Sequence, residues 1–382
     1  MPQSSAPAAS APGADARIRV MVVDDSVFVR GIVSRWLSED PAFELVGTFS
    51  NGKAALADLD RVQPDVVILD LEMPEMDGLT ALPLILRQRR NTTVIVASAL
   101  SRRGAEVSLK ALTLGAADYL PKPDATKGTF ATDDFKRELM EKVRSLGLKV
   151  LREAGRAPAL PPPSTQPQAA ALPSQPRGPI RLRPYSVSDV SLIAVGSSTG
   201  GPQALTRLFA VLGPYIDRIP VVITQHMPPT FTALLAEHVT RAAGRQAAEG
   251  QDGEALCAGR IYIAPGGKHM LLERDGARTV IRLSDGPAVN FCKPAVDPMF
   301  DTVAQIYRRN ALALVLTGMG SDGARGAGII ADAGGSVIVQ DEETSVVWGM
   351  PGATASAGNA SEVLPLQAIG PKVIAMLARR RG

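Results

Sequence analysis

A serine, a histidine and an aspartate each stand where an apolar run of strand length breaks into a polar turn. Ser198 follows Leu192-Ile193-Ala194-Val195-Gly196-Ser197 and leads into Thr199-Gly200-Gly201-Pro202. His226 follows Val221-Val222-Ile223-Thr224-Gln225, and Asp322 lies in Thr317-Gly318-Met319-Gly320-Ser321-Asp322-Gly323, after the run Ala311 to Leu316. Nucleophilic acyl transfer needs an aliphatic hydroxyl, an imidazole to take its proton, and a carboxylate to orient that imidazole. Past Pro202, apolar residues from Gln203 to Phe209 recur at helical spacing. Ser198 is therefore expected at a helix N-terminus, where unpaired N–H groups and the positive dipole end face a developing oxyanion. A Gly/Ser/Thr turn of this kind also suits a bound phosphate or a plain helix cap. The company of His226 and Asp322 at equivalent strand ends favours catalysis. His238 and His269 are the other candidate bases. His238 falls within a helical stretch, and His269 sits in a Gly-Gly-Lys hairpin context.

A second group of reactive side chains lies nearer the N-terminus. Asp24-Asp25 end one apolar run, Asp70 ends Val66-Val67-Ile68-Leu69, Ser98 ends Val94 to Ala97, and Lys122-Pro123 follows Asp118-Tyr119-Leu120. Three carboxylates converging on one spot repel one another unless a cation joins them, and an all-oxygen set selects Mg²⁺. A lysine and a hydroxyl beside them supply charge compensation for a transferred phosphoryl group.

Both groups need parallel sheets to hold them. From Arg17 the chain alternates strand and helix: strands at 18–23, 44–49, 66–70, 94–98 and 118–120, and helices near 27–37, 54–59, 79–90, up to Gly115, and 133–148. That rhythm predicts an open five-stranded, doubly wound parallel sheet with its chemistry beyond the carboxyl strand ends. From Ser186 a second α/β domain is expected, its sheet mainly parallel, with antiparallel hairpins between Gly250 and Asp285, among them Arg260 to Pro265. Boundaries follow: a disordered Ser/Ala/Pro/Gly tail over 1–16, a first domain over 17–140, a Pro/Ala-rich mobile linker over 150–185, and a second domain over 186–382.

Composition closes off several classes. Lys+Arg 41 against Asp+Glu 38 is nearly balanced, and no stretch has the basic density that many phosphate contacts demand, so no nucleic-acid partner is expected. No apolar run reaches membrane-spanning length and the tail lacks signal-peptide character, so a cytoplasmic protein without membrane insertion is expected. The two cysteines, Cys257 and Cys292, have no metal-like spacing and read as bland thiols in a reducing compartment.

The first domain resembles the receiver of two-component response regulators, through Asp24-Asp25, Asp70 with Met73-Pro74-Glu75-Met76-Asp77-Gly78, Ser98, Tyr119 and Lys122-Pro123. The resemblance implies phosphorylation of Asp70 by a histidine kinase of a chemotaxis system, with Mg²⁺ held by Asp24, Asp25 and Asp70. Ser98, Tyr119 and Lys122 would form the switch, and Lys122-Pro123 would be a cis bond. In the second domain the order Ser, His, Asp departs from that of α/β-hydrolases, so the formal G-x-S-x-G match does not indicate that fold. Gly-Ser-Ser-Thr-Gly-Gly-Pro, Gln-His-Met-Pro and Gly-Met-Gly-Ser-Asp-Gly resemble instead the chemotaxis protein-glutamate methylesterase family. That likeness implies demethylation of glutamate methyl esters and deamidation of glutamines on methyl-accepting chemoreceptors. Ser198, His226 and Asp322 would be the triad, Thr199 and Met319 would support the oxyanion, and hydrolysis would need no cofactor. The alternative is a receiver-gated binding module without turnover, which would tolerate loss of His226.

Overall fold

The computed structural model describes residues 17–122, 128–156 and 180–378. The expected tail, the peptide bond Lys122-Pro123 and most of the expected linker lie outside these residues. The described residues of Met1–Thr93 with Lys136–Pro173 form one compact unit, and those of Val94–Phe135 with Ser174–Gly382 form another.

The N-terminal elements run β1 (Ile18–Val23), α1 (Val27–Glu39), β2 (Phe43–Phe49), α2 (Gly52–Val62), β3 (Val66–Asp70), α3 (Gly78–Gln88), β4 (Thr93–Ala99), α4 (Arg102–Thr113), β5 (Asp118–Lys122) and α5 (Gly128–Glu153). The five strands form one sheet in the order β2-β1-β3-β4-β5. β3 is buried along its whole length, as a parallel strand covered on both faces must be. Four helices start at a capping side chain that the sequence supplies. Ser26, Asn51, Asp77 and Ser101 each accept an N–H from the first turn, at 3.3, 2.8, 2.8 and 3.0 Å. α5 spans 26 residues, well beyond the expected 133–148. Leu139, Val143, Leu146 and Val150 are all buried, so the apolar stripe carries the helix on past Leu148.

The remaining elements are β6 (Leu192–Ser197), α6 (Gly201–Leu212), β7 (Val221–Gln225), α7 (Phe231–Ala243), β8 (Ala247–Glu249), β9 (Ile261–Ile263), β10 (His269–Asp275), β11 (Arg278–Ser284), α8 (Val296–Tyr307), β12 (Ala311–Val315), α9 (Ala324–Asp332), β13 (Ser336–Gln340), α10 (Met350–Ser356), β14 (Glu362–Leu364) and α11 (Leu366–Ala378). Seven strands form a sheet in the order β14-β13-β12-β6-β7-β9-β8. β10 and β11 make a separate antiparallel pair. The expectation that Arg260 to Pro265 is a hairpin strand is corrected, because β9 lies parallel between β7 and β8. Its three residues are all buried, with none of the polar alternation of a half-exposed hairpin.

The Arg183 N–H donates to Ala360 O at 2.8 Å and its guanidinium to Gly358 O at 3.0 Å, tying this residue to the second unit. Among the described residues no helix is long and apolar enough to cross a membrane.

Candidate active site

β12, β6 and β7 are neighbours, and their register brings their carboxyl ends level. Gly196 pairs with both Val315 and Thr224, and Ser197 pairs with Gln225. Ser198 therefore leaves the central strand between the turn that carries Asp322 and the one that carries His226. Backbone bonds then fix each turn to its neighbour. Ser198 N–H donates to Thr317 O at 3.0 Å, and His226 N–H donates to Ser197 O at 3.1 Å.

Gln225, wholly buried, ties the two turns together. Its Oε1 accepts from Ser197 Oγ at 2.7 Å, and its Nε2 donates to Ser198 O at 2.9 Å and His226 O at 3.3 Å. Only glycine fits at 201, since a Cβ there would fall 1.9 Å from Gln225 Oε1. At Gly318 a Cβ would stand 2.8 Å from Ser198 Cβ, so the loop carrying Met319 lies directly against the serine.

Thr317 anchors that loop by its N–H to Gln340 Oε1 at 2.9 Å and its hydroxyl to Thr199 O at 2.8 Å. The Thr199 hydroxyl turns the other way and donates to Asp118 Oδ2 at 2.8 Å, inside the second compact unit. Any part Thr199 plays toward an oxyanion thus falls to its backbone N–H.

His226 is 11% exposed at its side chain, and Asp322 is 2% exposed. His226 Nε2 lies 2.8 Å from Asp322 Oδ2. Asp322 accepts three further bonds, from Val296 N–H at 2.6 Å, Asp297 N–H at 3.2 Å and Asn290 Nδ2 at 3.0 Å. The first two of these donors open α8, whose own N-cap, Ala295, offers no side chain. Asp322 therefore caps α8 from across the fold. Asp297, in the first turn of α8, returns the favour to α9, with Oδ1 accepting from Gly323 at 3.1 Å and Gly326 at 2.7 Å. Burial raises the Asp322 pKa, but the His226 bond, the α8 N–H groups and Asn290 outweigh it and leave it below the usual carboxylate range. Asp297, with burial dominant, is raised.

The second nitrogen of His226 does not meet Ser198. Cys292 Sγ lies 3.3 Å from Nδ1, and among the described residues no hydrogen bond joins Ser198 Oγ to the ring. Cys292 is thus no bland thiol, and the expectation fails because cysteine spacing in the chain says nothing of what a turn brings to an imidazole. Burial pushes the His226 pKa down, while the Cys292 sulfur and the bond to Asp322 push it up, to about 10 on balance. His269 has both ring nitrogens occupied, accepting from Ala295 N–H at 3.1 Å and donating to Pro287 O at 3.0 Å, and His238 lies mid-way along α7.

In the N-terminal sheet, Asp24, Asp25 and Asp70 each offer an oxygen within 4.8 Å of the other two, with Asp25 exposed and the other two buried. Asp24 is held by Ser26 N–H at 2.9 Å, and Asp70 by Glu72 N–H at 3.4 Å. Ser98, buried at the end of β4, shares a 2.6 Å bond with Ser108 of α4. Lys122 ends β5. Tyr119 stacks on Phe231, with centroids 4.6 Å apart and planes 15° from parallel. Gln225, Asn290, Asp297, Cys292 and Ser108 are site residues that sequence reading missed. Only Gln225, beside His226 at the end of an apolar run, carried a signal: a buried amide at a strand end must find partners.

Fold and strand-end chemistry together define a class: response-regulator receivers joined to an α/β output sheet of hydrolase type. Residues 20–129 match the response regulator receiver domain, and residues 193–373 match the family described as CheB methylesterase. The chain belongs to the family of protein-glutamate methylesterases/protein-glutamine glutaminases. It is 53% identical over 98% of both chains to the protein of that name from Nitrobacter hamburgensis. It is 52% identical, over 95% of both chains, to the group 2 operon protein of that name from Bradyrhizobium diazoefficiens. The Thermotoga maritima CheB methylesterase catalytic domain, a crystal structure, is 38% identical, with a TM-score of 0.48 over 50% of this chain and 100% of that one.

Proposed function

We propose that the chain hydrolyses glutamate methyl esters on chemoreceptors and deamidates receptor glutamines, acting in the cytoplasm under control of phosphorylation at Asp70. The observation that carries this reading is the His226–Asp322 pair at strand ends flanking Ser198. Ser198 Oγ attacks the side-chain carbonyl carbon, and its proton passes to His226 Nδ1, since Nε2 is committed to Asp322. His226 then gives that proton to departing methanol or ammonia, and water repeats the sequence to release the glutamate. The ionised Asp322, fixed by four donors, keeps the ring in one tautomer and balances its charge while protonated. The N–H groups of Thr199 and Met319 are the candidates for holding the oxyanion.

The proposed receiver covers 17–140, a linker 150–185, and the hydrolase 186–382. The acidic cluster fits a hard divalent cation: Asp24, Asp25 and Asp70 would hold Mg²⁺, which supplies positive charge to a phosphoryl group entering from a histidine kinase. The likeness to receivers gives Lys122 and Ser98 the roles of contacting that group.

Methanol release from methylated receptors tests the reading. Ser198→Ala and His226→Ala should each lower turnover by orders of magnitude, with the double variant little worse than either, because nucleophile and base act as one unit. Losses that multiply, or near-normal release by Ser198→Ala, would remove the pair from the mechanism. A binding module without turnover would release no methanol in any form.

A further inference from the structure

The resting site has an imidazole with no free base nitrogen. Nε2 faces Asp322 and Nδ1 faces Cys292. The turn that delivers Cys292 is strained. Val289 and Cys292 exchange backbone bonds of 3.1 and 2.9 Å, and the two residues between them, Asn290 and Phe291, both have positive φ, 51° and 63°. A phenylalanine in the left-handed region is costly and persists only where the surroundings impose it. This turn serves both ends of the catalytic pair, since Asn290 holds Asp322 Oδ1 while Cys292 holds His226 Nδ1.

We propose that Cys292 is a positioning residue that holds the His226 ring in a resting state, occupying the nitrogen that must take the Ser198 proton. The inference rests on the hydrolase reading above. One proton lies between Sγ and Nδ1. While that proton sits on Nδ1, the ring cannot act as base. For attack, that proton moves to sulfur, giving the neutral thiol and a free Nδ1 lone pair. Ser198 Oγ then bonds to the carbonyl carbon as its own proton passes to Nδ1, and the thiol leaves the reaction unchanged.

Among the described residues, the titratable groups bonded to the ring are Asp322 on Nε2 and Cys292 on Nδ1, with Asp297 one shell out and Arg325 3.5 Å from it. The Cys292 sulfur and the bond to Asp322 together hold the His226 pKa well above the ordinary imidazole range, so the free base is scarce at neutral pH. A general base serves best with a pKa near the working pH, so release from Cys292 is a step the enzyme must make.

The test uses the full chain with Cys292→Ser and Cys292→Ala, reading kcat/KM for methanol release against pH and the His226 titration by NMR. The serine keeps the turn and guards against a folding defect in the alanine. Both variants remove the sulfur that faces Nδ1. In both, the acidic limb and the His226 titration should move down by about one pH unit or more, and kcat/KM at neutral pH should rise severalfold. A limb and a titration that stay in place, or a fall in neutral kcat/KM in both variants, would overturn the proposal. Ser198→Ala separates the two readings. If it hydrolyses normally the serine mechanism itself fails and the proposal with it, whereas an inactive Ser198→Ala with an unmoved Cys292→Ser limb rejects the Cys292 role alone.

Discussion

At the residue scale, the turn around the candidate nucleophile depends on hydrogen bonds that its neighbours make in full burial. Ser197 and Gln225 show this most simply. The Ser197 hydroxyl donates to a buried amide oxygen whose other end holds Ser198 and His226 in place. Removing one partner of a buried bond costs more than the bond's net worth, because the survivor stays dry and unpaired. Ser197→Ala should therefore lower unfolding free energy by about 1–3 kcal/mol, measured by urea denaturation. Turnover should fall less than for any change at Ser198. An unchanged denaturation midpoint would mean that Gln225 finds another donor.

At the element scale, the site is organised by two helix N-termini that exchange caps. Asp322, just before α9, caps α8, and Asp297, in the first turn of α8, caps α9. Neither helix brings its own capping side chain, as Ala295 and Gly323 occupy those positions. The arrangement couples the angle between α8 and α9 to the carboxylate bonded to His226. Asp297→Ala leaves the Gly323 and Gly326 N–H groups without their acceptor and should destabilise the chain by about 1–2 kcal/mol. Turnover should fall through kcat rather than KM, because Asp322 shifts while the serine turn stays. Asp297→Asn keeps an oxygen acceptor and should recover most of the stability. An Asp297→Ala enzyme with normal kcat would uncouple the helix caps from catalysis.

At the scale of the whole molecule, the second compact unit includes Val94–Phe135, and with it β5. From β5, Asp118 takes the hydroxyl of Thr199, next to Ser198, and Tyr119 stacks on Phe231 at the start of α7. Under the function proposed above, a strand bonded to the turn of Ser198 offers phosphorylation a direct route to hydrolysis. Hydrogen bonds to a charged acceptor are worth about 1.5–3 kcal/mol, while tenfold activation needs only ~1.4 kcal/mol. Asp118→Ala should raise methanol release by the unphosphorylated chain by about tenfold and shrink the response to a phosphodonor. Release that stays at the resting level would put control elsewhere on the surface.

How much was legible in the sequence depended on the range of the interaction. Strand-to-turn breaks at Ser198, His226, Asp322 and Asp70 are local, because apolar runs set burial and glycine or aspartate ends them, so the strand ends and both sheets could be read directly. A three-residue strand such as Ile261–Ile263 is too short for periodicity to tell parallel from antiparallel, and its place beside β7 came from tertiary pairing. The same holds for the partners of the reactive groups. Asp322 finds its donors 25 to 32 residues away in Asn290, Val296 and Asp297, and His226 meets a sulfur 66 positions along the chain. Sequence by itself determined which side chains reach the carboxyl edge of a sheet, since that follows from the alternation of strand and helix. Only the tertiary structure decided which of them touch, because a hydrogen bond is set by ångströms and angles between segments that no local pattern relates.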